Sequence, residues 1–206
     1  MQTPLSRSTA RLLAAVAVAI ALAVTSGACS TGKKKRPPRP TSEEQYKTAM
    51  SLMDHRQYVK ARTLLGNIGV RELQESELDP KVKIALADAY FLDAGLANVI
   101  EAQARYEQFI NFYPTNAQVS YAQYQVGMCL LAQSSSPAND QIETRRALGE
   151  FEKVSPLDPG SEYAARAETQ MTACREKLAR HDYDVGRFYL RRKDCGAAAG
   201  RFRMVL

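Results

Sequence analysis

The sequence has few of the residues from which metal and catalytic sites are usually built. Its two histidines, His55 and His181, lie far apart, and neither has a cysteine or a second histidine at ligand spacing, so no metal site is expected. The sequence also contains no glycine-rich phosphate loop and no serine or cysteine in a nucleophile motif. We therefore predict a protein that is not an enzyme and that uses no cofactor and no metal.

Cysteines are also scarce, with four in 206 residues. If Cys29 is modified as proposed below, Cys129, Cys174 and Cys195 remain, and an odd number argues against a complete disulfide framework. Each of the three lies in or beside a predicted helix among small and apolar residues. We therefore expect them to be small packing residues, although one pair could form a disulfide bond if the fold brings it within reach.

An acidic or basic surface is not expected on the folded part of the chain. The formal net charge is +6, but seven of the 28 basic residues lie before residue 41, which leaves 21 basic against 22 acidic residues beyond it. A protein that binds nucleic acid would carry its basic residues on the fold itself. We therefore predict no nucleic-acid partner.

The sequence has no apolar run long enough to cross a bilayer as a helix. The longest, Leu12 to Val24, has 13 residues, whereas a spanning helix needs about 20. It follows Arg7 and Arg11, an arrangement typical of a secretion signal. We therefore predict that residues 1–28 are a signal peptide that is removed.

The residues that end this leader, TSGAC, resemble a bacterial lipoprotein processing site. Cys29 is then the lipidated first residue, and several acyl chains would anchor the protein firmly. Residues 29–40 carry this cysteine and a basic, proline-rich tether, TGKKKRPPRP. Ser30, rather than Asp, follows the cysteine, and this resembles the outer-membrane address of well-studied lipoproteins. We therefore predict a lipid-anchored protein on the periplasmic face of the outer membrane. An ordinary signal peptide with an incidental cysteine is the alternative.

Residues 41–206 repeat a pattern of small residues. In each copy a small residue is followed 12 to 20 positions later by an alanine, and bulky apolar residues follow that alanine at four and seven positions. The pairs are Ala49 and Ala61, Ala87 and Ala102, Gly127 and Ala147, and Gly186 and Ala198. Small residues let two antiparallel helices approach closely. This is the tetratricopeptide pattern, and it predicts an all-α, tetratricopeptide-like solenoid of helical hairpins with about four repeats, the last one incomplete.

Helix signals place the hairpins along the chain. The first hairpin is expected at Ser42–Ile68, and the second from after Pro80 to Tyr113 with an enlarged turn at Asp93–Asn98. The third is expected to start near Asn116 and to contain an inserted loop at Ser134–Asn139. A long helix from Ser161 to Arg180 is expected before the fourth. Thr41 or Ser42 is the expected first N-cap. The second helix of the fourth unit is expected to be still in progress at Leu206, which suggests a truncated chain or a partner that covers this end.

One stripe of residues is predicted to face the inner surface of the repeats. Positions three before and one after each small residue, with neighbours at the same helical spacing, share one face. They are Tyr46, Met50, Met53, Ile84, Asp88, Phe91, Tyr121, Tyr124 and Met128, with Tyr183 and Arg187 in the fourth unit. Tyrosine and methionine suit an extended or helical peptide. The alternative is that several of them pack against the neighbouring helix.

Several segments resemble the BamD family, the lipoproteins of the outer-membrane β-barrel assembly machinery. They are YEQFINFYP at Tyr106–Pro114, the spacing of Tyr121, Tyr124 and Gly127, the Asp140-Gln141 helix start with Arg145 and Ala147, and LARHDYDVGRFYLRR at Leu178–Arg192. The resemblance implies a nonenzymatic scaffold that binds unfolded outer-membrane proteins through its first repeats. It also implies docking of the last repeats, with Tyr183 and Arg187, on the barrel-forming BamA subunit, in a complex with other assembly lipoproteins.

Two other functions remain open at this point. One is a periplasmic tetratricopeptide scaffold that coordinates cell-wall synthesis or division, which the lipid anchor and the absence of an amino-terminal coiled-coil region disfavour. The other is a murein-cleaving enzyme with a helical solenoid. It would require a catalytic domain with a buried acid, and neither the length nor the motifs provide one.

Overall fold

Helices account for nearly all of the regular structure in a computed structural model that describes residues 40–68, 77–134 and 136–205. The predicted leader, Cys29 and nearly all of the tether lie outside the described residues. The helices are α1 (Ser42–Asp54), α2 (Tyr58–Asn67), α3 (Leu78–Leu92), α4 (Leu96–Phe112), α5 (Val119–Gln133), α6 (Ile142–Glu152), α7 (Val154–Leu157), α8 (Glu162–Arg191) and α9 (Cys195–Arg203). Because the described residues contain no strand, the all-α prediction is confirmed. No helix in these ranges is both long and apolar enough to span a membrane.

The first helix begins at the predicted cap. The hydroxyl of Thr41 accepts a hydrogen bond from the backbone N–H of Glu44 at 3.2 Å, and the Glu44 carboxylate accepts one from the backbone N–H of Thr41 at 2.9 Å. This reciprocal capping box satisfies two N–H groups that would otherwise lack acceptors. Thr41, rather than Ser42, is therefore the N-cap.

The second hairpin begins earlier and turns more tightly than predicted. Helix α3 starts at Leu78, two residues before Pro80. Proline is tolerated there because N–H groups in the first helical turn have no acceptor within the helix. The turn that follows contains only residues 93–95, with φ of 57° at Ala94 and 82° at Gly95. Asn98, which we placed in the turn, lies in α4 and donates a hydrogen bond back to the carbonyl of Ala94 at 2.8 Å.

A partly buried polar cluster joins α2 to this turn. The Arg62 guanidinium lies 2.7 Å from the Asp93 carboxylate and donates a second hydrogen bond, 2.8 Å long, to the side-chain oxygen of Asn98. Its carbon Cζ also lies 4.5 Å from the centre of the Tyr90 ring, close enough for a cation–π contact. The first hairpin is thus fixed to the second by directional contacts as well as by apolar packing.

The small residues of the repeat pattern mark the closest helix contacts. A Cβ atom added at Gly127 would lie 2.5 Å from Cε1 of Phe151, and one at Gly186 would lie 2.6 Å from Cε1 of Phe202. Ala49, Ala61, Ala87, Ala102 and Ala147 are fully buried. These distances leave no room for a side chain at Gly127, because Phe151 is itself fully buried.

Helix α8 is longer than predicted. It runs without a break for 30 residues through Arg180, where we expected one helix to end and a new unit to follow. No proline interrupts the sequence between Ser161 and Arg191, so nothing disrupts the backbone hydrogen bonds. Its first half packs on α6 and its second half packs on α9. Helix α9 ends at Arg203, whereas we expected it to continue as far as Leu206.

The inserted loop between α5 and α6 is fixed to α8. Lys177 donates a 2.7 Å hydrogen bond to the hydroxyl of Ser134, and the His181 ring lies 2.7 Å from the carbonyl oxygen of Pro137. That carbonyl can only accept, so Nδ1 of His181 carries the proton. Within the loop, the Gln141 side chain donates to the carbonyls of Ser136 and Asn139. These contacts hold Ser134, Ser136, Pro137 and Asn139 in place.

The cysteines divide into two classes. Cys129 and Cys174 are buried packing residues, as predicted, and burial raises the pKa of the Cys129 thiol to about 12. Cys195 is exposed at the start of α9, so the packing prediction is wrong for this residue. All three are unpaired.

Candidate functional site

The predicted stripe lies on α1, α3 and α5, and its residues differ in exposure. Ile84 and Tyr124 are only 4% and 9% exposed and belong to the hydrophobic core. The other seven are partly exposed: Tyr46, Met50, Met53, Asp88, Phe91, Tyr121 and Met128. The accessible part of the stripe is therefore an amphipathic surface of aromatic, methionine and carboxylate groups, from which Ile84 and Tyr124 are largely absent.

Asp88 is the centre of a hydrogen-bond network that joins three helices. Its oxygen Oδ1 accepts a 2.5 Å hydrogen bond from the hydroxyl of Tyr106 on α4 and a 2.6 Å hydrogen bond from the hydroxyl of Tyr121 on α5. Gln125 donates in turn to the Tyr121 oxygen at 2.9 Å. Because Tyr106 is fully buried, its hydroxyl needs this acceptor.

Burial controls the protonation of this network. It raises the pKa of Asp88, while the hydrogen bonds from Tyr106 and Tyr121 act in the opposite direction and only partly offset it. Burial, and then the charge of Asp88, raise the pKa values of Tyr46, Tyr106 and Tyr121. The three tyrosines therefore remain neutral hydrogen-bond donors at physiological pH.

An aromatic row extends from this network to α8. The ring centres of Tyr121 and Tyr163 lie 5.1 Å apart, those of Tyr124 and Tyr163 lie 6.0 Å apart, and the Tyr106 ring meets Tyr121 edge-on at 6.2 Å. We did not predict Tyr163, because the stripe was counted from the small residues of each hairpin. The spacing of Tyr163, Ala167 and Cys174 by four and seven residues would have marked the packed face of α8.

The two residues predicted for partner docking lie together on the surface of α8. Tyr183 is 44% exposed, and the Arg187 guanidinium carbon lies 5.8 Å from its ring centre. The Phe202 ring of α9 lies 5.9 Å from Tyr183. These residues form an aromatic and basic patch, and among the described residues no ring contact or hydrogen bond joins it to the accessible stripe.

The structure also contains a cavity that we did not predict from the sequence. A cavity of about 540 Å³ lies between α2, α3 and α4. Its apolar walls include Leu65, Val82, Leu86, Phe109 and Phe112, and its polar rim includes Asp79, Lys83 and Arg105. These residues come from three helices, so spacing within one helix gave no indication of the cavity.

The side chains of these surfaces can bind a polypeptide. The described residues contain no cluster of three or more potential metal ligands, and the Cys129 thiol is buried with a raised pKa. Tyrosine hydroxyls and one carboxylate can make hydrogen bonds to a polypeptide, while methionine and aromatic side chains supply apolar area.

Comparisons with known proteins agree on one family. The chain matches the YfiO family, described as an outer membrane lipoprotein, over residues 38–206. It is similar to three proteins named outer membrane protein assembly factor BamD. Identity is 27% over 180 residues with that of Rickettsia prowazekii (87% of this chain, 70% of the relative), 29% over 197 residues with that of Caulobacter vibrioides (93% and 63%), and 28% over 173 residues with that of Xylella fastidiosa (72% and 57%). The chain thus spans between 57% and 70% of the length of these relatives.

Proposed function

Because this chain belongs to the YfiO family of outer membrane lipoproteins, we propose that it acts in the assembly of outer membrane proteins as an adaptor that performs no catalysis. The family match over residues 38–206, which includes every described helix, carries this proposal. The name of the relatives, outer membrane protein assembly factor, favours it over a scaffold for cell-wall synthesis or division.

The accessible stripe is the surface that would hold unfolded outer membrane proteins. Its partly exposed tyrosine, phenylalanine and methionine side chains offer apolar area to an extended segment. Asp88 and the hydroxyl of Tyr46 offer polar groups to the same segment. Such a surface binds side chains of varied shape, as an adaptor for many substrates requires.

The patch of Tyr183, Arg187 and Phe202 is the surface that would dock on a BamA-like barrel subunit. Tyrosine and arginine are enriched among the residues that contribute most to protein interfaces, and both are exposed here. Contacts with other lipoproteins of the same complex would extend this interface. Acyl chains on Cys29 would hold the protein at the periplasmic face of the outer membrane.

Purification of the full-length protein from detergent-solubilised membranes tests this function. Mass spectrometry should identify a co-purifying barrel protein that carries periplasmic repeats. Replacing Arg187 by Glu should reduce its recovery, whereas Arg175→Glu, an equally exposed position three turns earlier on α8, should not. Recovery of cell-wall synthases or division proteins without any barrel protein would contradict the proposal.

A further inference from the structure

The two carboxylate oxygens of Asp88 have different surroundings. Oδ1 accepts both tyrosine hydrogen bonds. No described residue donates a hydrogen bond to Oδ2. Oδ2 is also not one of the buried side-chain atoms that lack a hydrogen-bond partner in the described part of the chain. Oδ2 therefore reaches solvent at the stripe, where a ligand could contact it.

Asp88 also lacks a cation. Within the described ranges, no lysine, arginine or histidine nitrogen lies within 4.0 Å of its carboxylate. The titratable groups around it are the neutral phenols of Tyr46 on α1, Tyr106 on α4, Tyr121 on α5 and Tyr163 on α8. Arg166 contacts the Tyr163 ring, with its guanidinium carbon 5.7 Å from the ring centre, but it makes no ion pair with Asp88. Largely buried carboxylates are normally paired with an opposite charge, so this one is incomplete in the free protein.

The rings around Asp88 add a second attraction for a positive charge. The Tyr121 and Tyr163 rings lie 5.1 Å apart, and Tyr106 lies edge-on to Tyr121. The faces of aromatic rings attract ammonium and guanidinium groups. Tyr106 is fully buried, so Tyr121 and Tyr163 are the rings that a ligand can reach. Together with the free oxygen of Asp88, these two rings can recognise a cation.

We propose that Asp88 and the tyrosines around it form a subsite for a basic side chain, lysine or arginine, of the polypeptide that binds along the stripe. This inference rests on the proposed function, since it assigns one position of the bound segment. A lysine or arginine would pair with Oδ2 and neutralise the carboxylate. An apolar side chain would instead bury the carboxylate further without a partner, and an acidic one would be repelled.

The pairing is linked to pH. A bound cation favours the ionised form of Asp88 and so lowers its raised pKa. By linkage, a peptide with lysine at this position should bind more tightly as the pH rises through the pKa of Asp88 in the free protein. The affinity of a peptide with a neutral side chain should change less with pH, or in the opposite direction, because that side chain does not stabilise the ionised form of Asp88.

Binding of matched peptides tests the subsite. Extended peptides of about 12 residues, roughly 40 Å long, would alternate tyrosine and serine around a central lysine, norleucine or glutamate. Fluorescence anisotropy would measure their affinity for the full-length protein. We expect the lysine peptide to bind about tenfold more tightly than the norleucine peptide, the size of one charge-assisted hydrogen bond, and the glutamate peptide to bind most weakly.

Two variants identify the group responsible. Asp88→Asn should abolish the preference for lysine over norleucine, and it keeps an oxygen that can accept the hydrogen bonds from Tyr106 and Tyr121. Asp158→Asn, an exposed position outside the stripe, is the matched control and should keep the preference. Circular dichroism would verify the helical content of both variants.

The outcomes separate this subsite from the proposed function. Equal affinity of the wild-type protein for lysine and norleucine peptides would overturn the subsite while leaving the stripe intact. A preference that persists in Asp88→Asn would assign it to another residue and equally overturn the inference. If no peptide binds at all, the stripe itself is wrong, and the subsite is rejected with it.

Discussion

Replacing Gly127 by Ala tests the close packing on which the repeats depend. Alanine in a helix interior is more favourable than glycine by about 0.5–1 kcal/mol, which alone would stabilise the protein. The new Cβ would, however, lie 2.5 to 2.7 Å from three atoms of the Phe151 ring, and this ring is fully buried. Overpacking of a core typically costs about 1–3 kcal/mol. We therefore expect a net loss in the free energy of unfolding.

Gly149→Ala is the matched control. Gly149 lies in α6, the partner helix of α5, and an added Cβ there meets nothing within 4 Å. This variant should gain stability, so the difference between the two variants isolates the overpacking, about 1–3 kcal/mol. Gly186→Ala should fall between them, because the Phe202 ring is partly exposed and can move.

Urea unfolding followed by circular dichroism would measure the free energy of unfolding of the three variants. The values can be compared directly if the slope of that free energy against urea concentration is the same for all three. If Gly127→Ala stabilised the protein as much as Gly149→Ala does, the close approach of α5 to Phe151 would be refuted, and with it our reading of the small-residue pattern.

Four further predictions concern the polar network, the interhelical ion pair and the stripe. Arg62→Ala should lower the free energy of unfolding by about 1–3 kcal/mol, because it leaves the partly buried Asp93 carboxylate without a cation and with a hydrogen bond from Asn98 alone. Arg175→Ala, whose partner Glu152 is exposed, should change it by less than about 1 kcal/mol, and equal urea midpoints would contradict this. Tyr121→Phe should raise the pKa of Asp88 further, since it removes a hydrogen bond that favours the ionised form, as carboxyl titration by NMR would show; an unchanged pKa would be evidence against the network. The pKa of Asp88 is raised in the folded state, so between the ordinary value of 3.8 and the folded pKa the folded protein holds a proton that the unfolded chain has lost. The contribution of this proton to stability is present below pH 3.8 and is lost as the pH rises through the folded pKa. Asp88→Asn should abolish this pH dependence of the free energy of unfolding, measured with urea at a series of pH values, and a dependence that survives would assign it to another residue. Met50→Ala should weaken peptide binding in the anisotropy assay, while Val59→Ala, exposed on α2, should not; equal affinities would remove α1 from the binding surface.

Local signals made much of the fold predictable. The capping residues at Thr41 and Glu44 identify a helix start from their spacing alone. The small residues at Gly127 and Ala147, followed by Phe151, identify two packed helices, because the pattern records which side chains must be absent at a close contact. Such features depend on neighbours along one helix or one hairpin.

Features that depend on several helices were less predictable. The hydrogen bonds of Asp88 with Tyr106 and Tyr121 join residues 18 and 33 positions apart, and no spacing rule connects them. The burial of Tyr124 depends on Phe151 of α6 and Tyr163 of α8, which pack on it. The same helical stripe therefore contains both core and accessible residues. The repeat pattern did not predict the unbroken α8, because a new repeat usually begins with a new helix.

Photo-crosslinking in cells tests the central claim most directly. A photoreactive amino acid would replace Met50 on the stripe or, as a control, Val59 on α2. We expect the probe at position 50 to crosslink unassembled outer membrane proteins during their synthesis, and the probe at position 59 not to do so. Equal crosslinking from both positions, or none from position 50 while outer membrane proteins are being assembled, would contradict the assignment of the stripe as the surface that holds them.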